Sequence, residues 1–78
     1  MNPLKIVILK DQTHLMGEVV ELDEEPMYLV QSCVKLGDDT IIPFPLYTDQ
    51  RDIFLTSDVI LTIVEPSQET IVRYKKNL

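Results

Sequence analysis

A glycine in the middle of a strand that is apolar on both sides constrains this chain more than any other feature. In residues 9–23, Leu9 ends one strand and Asp11, Gln12 and Thr13 make a polar turn. The chain then re-enters an extended run. Leu15, Gly17 and Val19 fall on one side of a period-2 pattern, and Met16, Val20 and Leu22 on the other. An interior glycine weakens a strand and marks a bend, a bulge or a close approach of another backbone. A strand apolar on both faces and broken at Gly17 therefore predicts a small, strongly curved sheet. The acidic run Asp23, Glu24, Glu25 and Pro26 ends it.

The remaining chain repeats this grammar. Residues 5–10 read as the first strand, with Pro3 discouraging a helix before it, and residues 14–22 as the second. Pro26 can open a third strand, where its missing N–H costs little. There Tyr28, Val30, Ser32, Val34 and Leu36 share one parity and form a mainly apolar face. Met27, Leu29, Gln31, Cys33 and Lys35 form a mixed one. Gly37, Asp38 and Asp39 are a turn signal. Residues 40–47 are extended but carry Pro43 and Pro45, which predicts an edge strand or an irregular arm. Residues 53–56 make a short strand. Residues 59–64 make a stronger one, apolar on both faces except at Thr62, so it should be buried on both sides or paired with another subunit.

The C-terminal segment admits two readings. As a helix it takes Ser67 as N-cap, Glu69 in the first turn, and Lys75 and Lys76 in the last. Ile71, Tyr74 and Leu78 would then share a face. The competing reading is a sixth strand through residues 70–74.

Composition limits the function. Seventy-eight residues make one small domain, 1–78, and 45% hydrophobic residues suffice for a core. Seven basic against thirteen acidic residues give a net charge of −6, which argues against a broad basic surface for nucleic acid. Cys33 is the single cysteine, so no internal disulfide can form, and a reducing, cytoplasmic setting is expected. Residues 1–5 lack the long apolar run of a signal peptide, so none is expected, and no apolar run approaches membrane-spanning length.

Catalytic chemistry finds no support. His14 is the only histidine and has no visible partner, which leaves it a plain strand-edge residue. Cys33 reads as a small core residue. Glu21, Asp23, Glu24 and Glu25 match no cation-binding loop and read as a solvated turn. Asp38 and Asp39 belong to turn chemistry. Arg73, Lys75 and Lys76 suit a helix C-terminus better than a phosphate site. No phosphate-cradling glycine loop or nucleophile–base pair exists. The expectation is a non-enzymatic chain without metal or cofactor.

Five short strands joined by tight turns predict an all-β fold, a strongly bent antiparallel barrel of SH3-like type. Two motifs resemble the Sm/LSm family, whose members form rings that bind RNA. Leu9, Lys10 and Asp11, followed by Leu15, Gly17, Val19 and Asp23, are similar to its first motif. Leu55, Thr56, Ser57 and Asp58, followed by the strand from Val59 to Ile63, are similar to its second.

The resemblance implies a homo-oligomeric ring in which the fourth strand of one subunit pairs with the fifth of the next, with Val59, Leu61 and Ile63 at the contact. It implies a site for single-stranded RNA, or DNA, near the pore, at Asp23, Glu25, Pro26, Met27 and Tyr28 and at Thr56, Ser57 and Asp58. The departures lie within that site. Pro26 and Met27, or Met27 and Tyr28 with one insertion, stand where the family has Met-Asn. The base-stacking position falls at Glu25 or Pro26. Thr56 and Ser57 replace Arg-Gly and remove a cation. The alternative to RNA binding is therefore a structural or protein-interaction ring.

Overall fold

In the computed structural model, which describes residues 3–77, the chain runs β1 (Leu4–Leu9), β2 (His14–Glu21), β3 (Tyr28–Leu36), β4 (Ile41–Pro43), β5 (Ile53–Leu55), a 3₁₀ turn (Ser57–Val59), β6 (Ile60–Val64) and α1 (Gln68–Lys76). All strand pairs are antiparallel. The fold is all-β with a short C-terminal helix, as expected. Its strands number six, because residues 40–47 contribute β4 before leaving the sheet.

The order across the sheet is β4-β3-β2-β1-β6, and β5 also pairs with β3. β5 lies opposite the first third of β3 and β4 opposite its last third, so both occupy the same edge. The other edge is β6. Among the described residues no ladder joins β5 to β6. The 3₁₀ turn connects the two strands, and Leu55 from one side and Ile60 and Ile63 from the other pack against the same inner core. Val7, Leu15, Val30, Cys33 and Ile53 form the inner core, with Leu9, Val19, Leu55, Ile60 and Ile63 packed against it.

Gly17 sits where the sheet bends. Met16 pairs with Val34 and Glu18 with Gln31, so Gly17 faces two residues, Ser32 and Cys33, across a β-bulge. A methyl group at Gly17 would lie 2.5 Å from the Gln31 carbonyl oxygen and 2.7 Å from Val30 Cγ1. Only hydrogen fits.

The bulge also corrects the strand's expected parity. Val30 and Cys33 both face the inner core, whereas Val34 and Leu36 belong to a second cluster on the outer face. One extra residue switches every later side chain to the opposite face. A second bulge does the same in β6. Ile8 pairs with Thr62 but Leu9 with Ile60, which leaves Leu61 as the extra residue. Ile60 and Ile63 therefore both turn inward.

The outer cluster is where α1 docks. Met16, Val34 and Tyr74 are buried together, with Leu4, Ile6, Leu36, Ile41 and Ile71 around them. Ile71 and Tyr74 are three residues apart, a spacing that converges on one face in a helix but on opposite faces in a strand. That disposes of the sixth-strand reading. Ser67 caps the helix as expected, its Oγ accepting the Thr70 N–H at 3.2 Å, which contributes about 1 kcal/mol. Arg73, Lys75 and Lys76 occupy the last turn. Leu78, expected on the apolar face, lies outside the described residues.

Replacing Gly17 with Ala should destabilise the fold by about 1–3 kcal/mol, the usual cost of forcing volume into a packed site. For a domain this small each kcal/mol lowers Tm by roughly 4–8 °C. Thermal unfolding followed by circular dichroism reads the shift, and an unchanged Tm contradicts the close approach.

Candidate functional site

The two turns singled out by the sequence motifs meet. Glu25 follows β2 in a turn closed by the Leu22 N–H donating to the Met27 carbonyl at 2.7 Å. Its carboxylate accepts from the Ser57 N–H (3.1 Å to Oε2) and from the Ser57 hydroxyl (2.5 Å to Oε1). A side chain 32 residues away thus satisfies the first N–H of the 3₁₀ turn, as an acidic N-cap does for a helix. The Thr56 hydroxyl donates to the Asp58 carboxylate beside it. Asp23, Glu25, Pro26, Thr56, Ser57 and Asp58 are exposed, whereas Met27 and Tyr28 are half-buried at the start of β3.

The groups that face each other here are carboxylates and hydroxyls. Two of the chain's cations are committed elsewhere. Lys5 Nζ pairs with Glu65 at 2.6 Å. That hydrogen bond, and the lysine charge behind it, hold the Glu65 carboxyl below the usual range. Arg51 Nη1 donates to the carbonyls of Pro45 (3.2 Å), Thr48 (2.9 Å) and Gln50 (2.7 Å). Among the described residues no three His, Cys, Asp or Glu side chains converge to hold a metal ion. His14 Nδ1 lies 2.9 Å from the Gln12 carbonyl oxygen, an acceptor, so that nitrogen carries the proton.

The sheet edges are the other distinctive surface. On β5, Ile53 and Leu55 face the inner core, while Phe54 between them is 58% exposed. On β6, Leu61 is 56% exposed and Val64 is also exposed, as is Val59 just before the strand. Of the three residues expected at a subunit contact, Val59 and Leu61 lie on the surface. Ile63 does not, because the Leu61 bulge turns it inward. Val59 belongs to the 3₁₀ turn rather than the strand. Sequence reasoning missed Phe54, whose signal was its place between two apolar neighbours in a period-2 strand. It also missed Arg51 as the organiser of the 45–50 loop, for which the sequence offers no local sign.

These features describe a small, sharply bent antiparallel sheet with a helix on its outer face, two apolar free edges and an acidic turn pair. The chain belongs to DUF6561, a family of unknown function whose model matches residues 2–78. A comparison with curated proteins finds no significant match. No helix among the described residues is long and apolar enough to cross a membrane.

Cys33 lies fully buried in the inner core, the place expected for it. Burial pushes its thiol up to about 12, against a smaller downward pull from Arg51. Unfolded, the same thiol ionises near pH 9. Above that pH the unfolded chain binds fewer protons than the folded one, so stability falls as pH rises from about 9 towards 12 and is retained below 9. Burial moves the Tyr74 hydroxyl in the same direction. Denaturant melts across alkaline pH should show this decline, and Cys33→Ala should make it shallower. Equal slopes for the two proteins would contradict the assignment to Cys33.

Proposed function

We propose that the chain is a non-catalytic, self-assembling interaction module, in which β5 of one copy pairs with β6 of the next to form an Sm-like homo-oligomeric ring. The observation that carries this reading is the pair of free edges. Each is a strand whose outer side pairs with no other strand among the described residues, and each bears an exposed large apolar side chain, Phe54 on β5 and Leu61 on β6. Soluble proteins blunt such edges with charge or proline, or cover them with another chain. Neither strand carries a Lys, Arg, Asp, Glu or Pro. The two edges differ, so their contact is heterologous, and a heterologous contact that closes gives a ring. The resemblance to Sm-like proteins supplies the same pairing, with β5 and β6 standing for the family's fourth and fifth strands.

A second reading, binding of single-stranded RNA at the pore, is favoured by one observation: Glu25 and Ser57 bring together the two turns that the resemblance places around an RNA site. The chemistry opposes it. Phosphate would meet Asp23, Glu24, Glu25 and Asp58, and Glu25 already occupies the Ser57 N–H that could have received an anion. The interaction-module reading is therefore preferred.

Light scattering on the purified protein should give a mass several times that of the 9.0 kDa chain. Phe54→Lys and Leu61→Lys should each shift it toward monomer while the circular-dichroism spectrum stays β-rich. A wild type that remains at 9.0 kDa at micromolar concentration overturns the ring. Fluorescence anisotropy with labelled oligo-U at low and physiological salt separates the two readings. No binding is expected, and saturable binding weakened in Tyr28→Ala or strengthened in Asp58→Lys would move the site to nucleic acid.

A further inference from the structure

The loop between β4 and β5 leaves the sheet sideways. Both its ends are tied to one residue of β3, the Phe44 N–H donating to the Cys33 carbonyl (3.3 Å) and the Cys33 N–H to the Arg51 carbonyl (2.8 Å). Between them, residues 45–50 form a loop at the edge that β4 and β5 share, with residues 46–50 exposed. Three carbonyls of this loop converge on the Arg51 guanidinium. The Gln50 N–H donates to Thr48 Oγ1 at 3.2 Å, and Gln50 Nε2 to the Asp52 carbonyl at 2.7 Å. The loop is internally braced, yet it presents Leu46 half-exposed and Tyr47 wholly exposed. Tyr47 also has φ 66°, a left-handed conformation that costs a bulky residue energy. Such an outlier, on an aromatic with no cover of its own, points to a contact made outside the chain.

We propose that Leu46 and Tyr47 form an arm that seats in a recess of a second copy of this chain. The recess lies between the start of β1 and α1, has a volume of about 590 Å³, and its lining includes apolar Leu4, Pro66 and Ile71 and polar Glu65, Gln68 and Lys75. The proposal rests on the β5–β6 pairing above, which fixes where the arm must go. In an antiparallel contact the Ile53 end of β5 runs beside the Val64 end of β6. The arm leaves at the level of Cys33, three residues beyond Val30, the partner of Ile53, or about 10 Å further along. That is where the neighbour's β6 gives way to Glu65 and Pro66, at the mouth of the recess. The apolar part of the lining suits the Tyr47 ring and Leu46, and its polar groups can partner the phenol hydroxyl. Asp49, two residues on, would bring a carboxylate toward the neighbour's Lys75.

The test uses the double variant Asp49→Cys/Gln68→Cys, which keeps Leu46 and Tyr47, and a bifunctional maleimide at neutral pH, where the buried native Cys33 stays unreactive. A denaturing gel should show a ladder of cross-linked dimers and higher species. Asp49→Cys/Lys10→Cys, whose second cysteine lies at the opposite end of β6, should not form it. Separately, Tyr47→Ala should raise the dissociation constant of the assembly about tenfold or more, as loss of a central aromatic anchor does. If the wild type assembles by light scattering but either result is missing, the arm is overturned and the ring stands. If the wild type is monomeric, both fall.

Discussion

The β-bulge at Ser32 and Cys33 is the contact on which the rest of the structure depends. An extra residue in a strand leaves backbone groups without ladder partners, and a buried unpaired group costs about 1–3 kcal/mol. Here each of the four has a partner from a different part of the chain. The Ser32 N–H donates to Asp52 Oδ1 at 3.0 Å, and the Ser32 carbonyl accepts the Tyr74 hydroxyl at 2.6 Å. The Cys33 N–H and carbonyl hold the two ends of the 45–50 loop. One irregularity thus ties down the helix, the loop and β5 together. It exists because Gly17 lets the opposing backbone approach, and because Ser32 accepts φ 53°.

This explains which parts of the fold were legible in the sequence. Gly17 announced the bend, and the Ser67 cap and terminal lysines supported α1 as one of two readings of residues 67–78, because both act through local chemistry. The strands were visible as apolar runs between turn residues. What failed was face assignment beyond each bulge. Val34 and Leu36 were expected to face with Val30, and Ile63 to lie outside with Leu61. Both expectations assumed an unbroken period of two. Neither Ser32 nor Leu61 is a glycine or proline, so nothing local marked the slip. It is set by tertiary partners 20 to 42 residues away, Asp52 and Tyr74 for Ser32.

The candidate site was partly legible for the same reason. The motif spacing placed Glu25 and Ser57 in two turns that a curved sheet brings together. Their hydrogen bonds, which use up an N–H that could have received an anion, required coordinates. The free edges were foreseeable from residues 53–64, but the exposed set is Phe54, Val59, Leu61 and Val64 rather than one strand parity. Inner and outer clusters consume most of the remaining apolar residues. The two edges and the 45–50 loop are left presenting apolar surface on an otherwise acidic molecule, and the proposed assembly would cover all three with a second copy of the chain.

The account turns on whether the outer sides of β5 and β6 are bare in the isolated chain and paired in the assembly. Amide hydrogen exchange, resolved by residue and followed over a range of protein concentrations, measures this directly. The account predicts that amides of β5 and β6 gain protection as concentration rises, together, while those of β1 and β2 are protected throughout. Fast exchange in both edge strands at every concentration would contradict it.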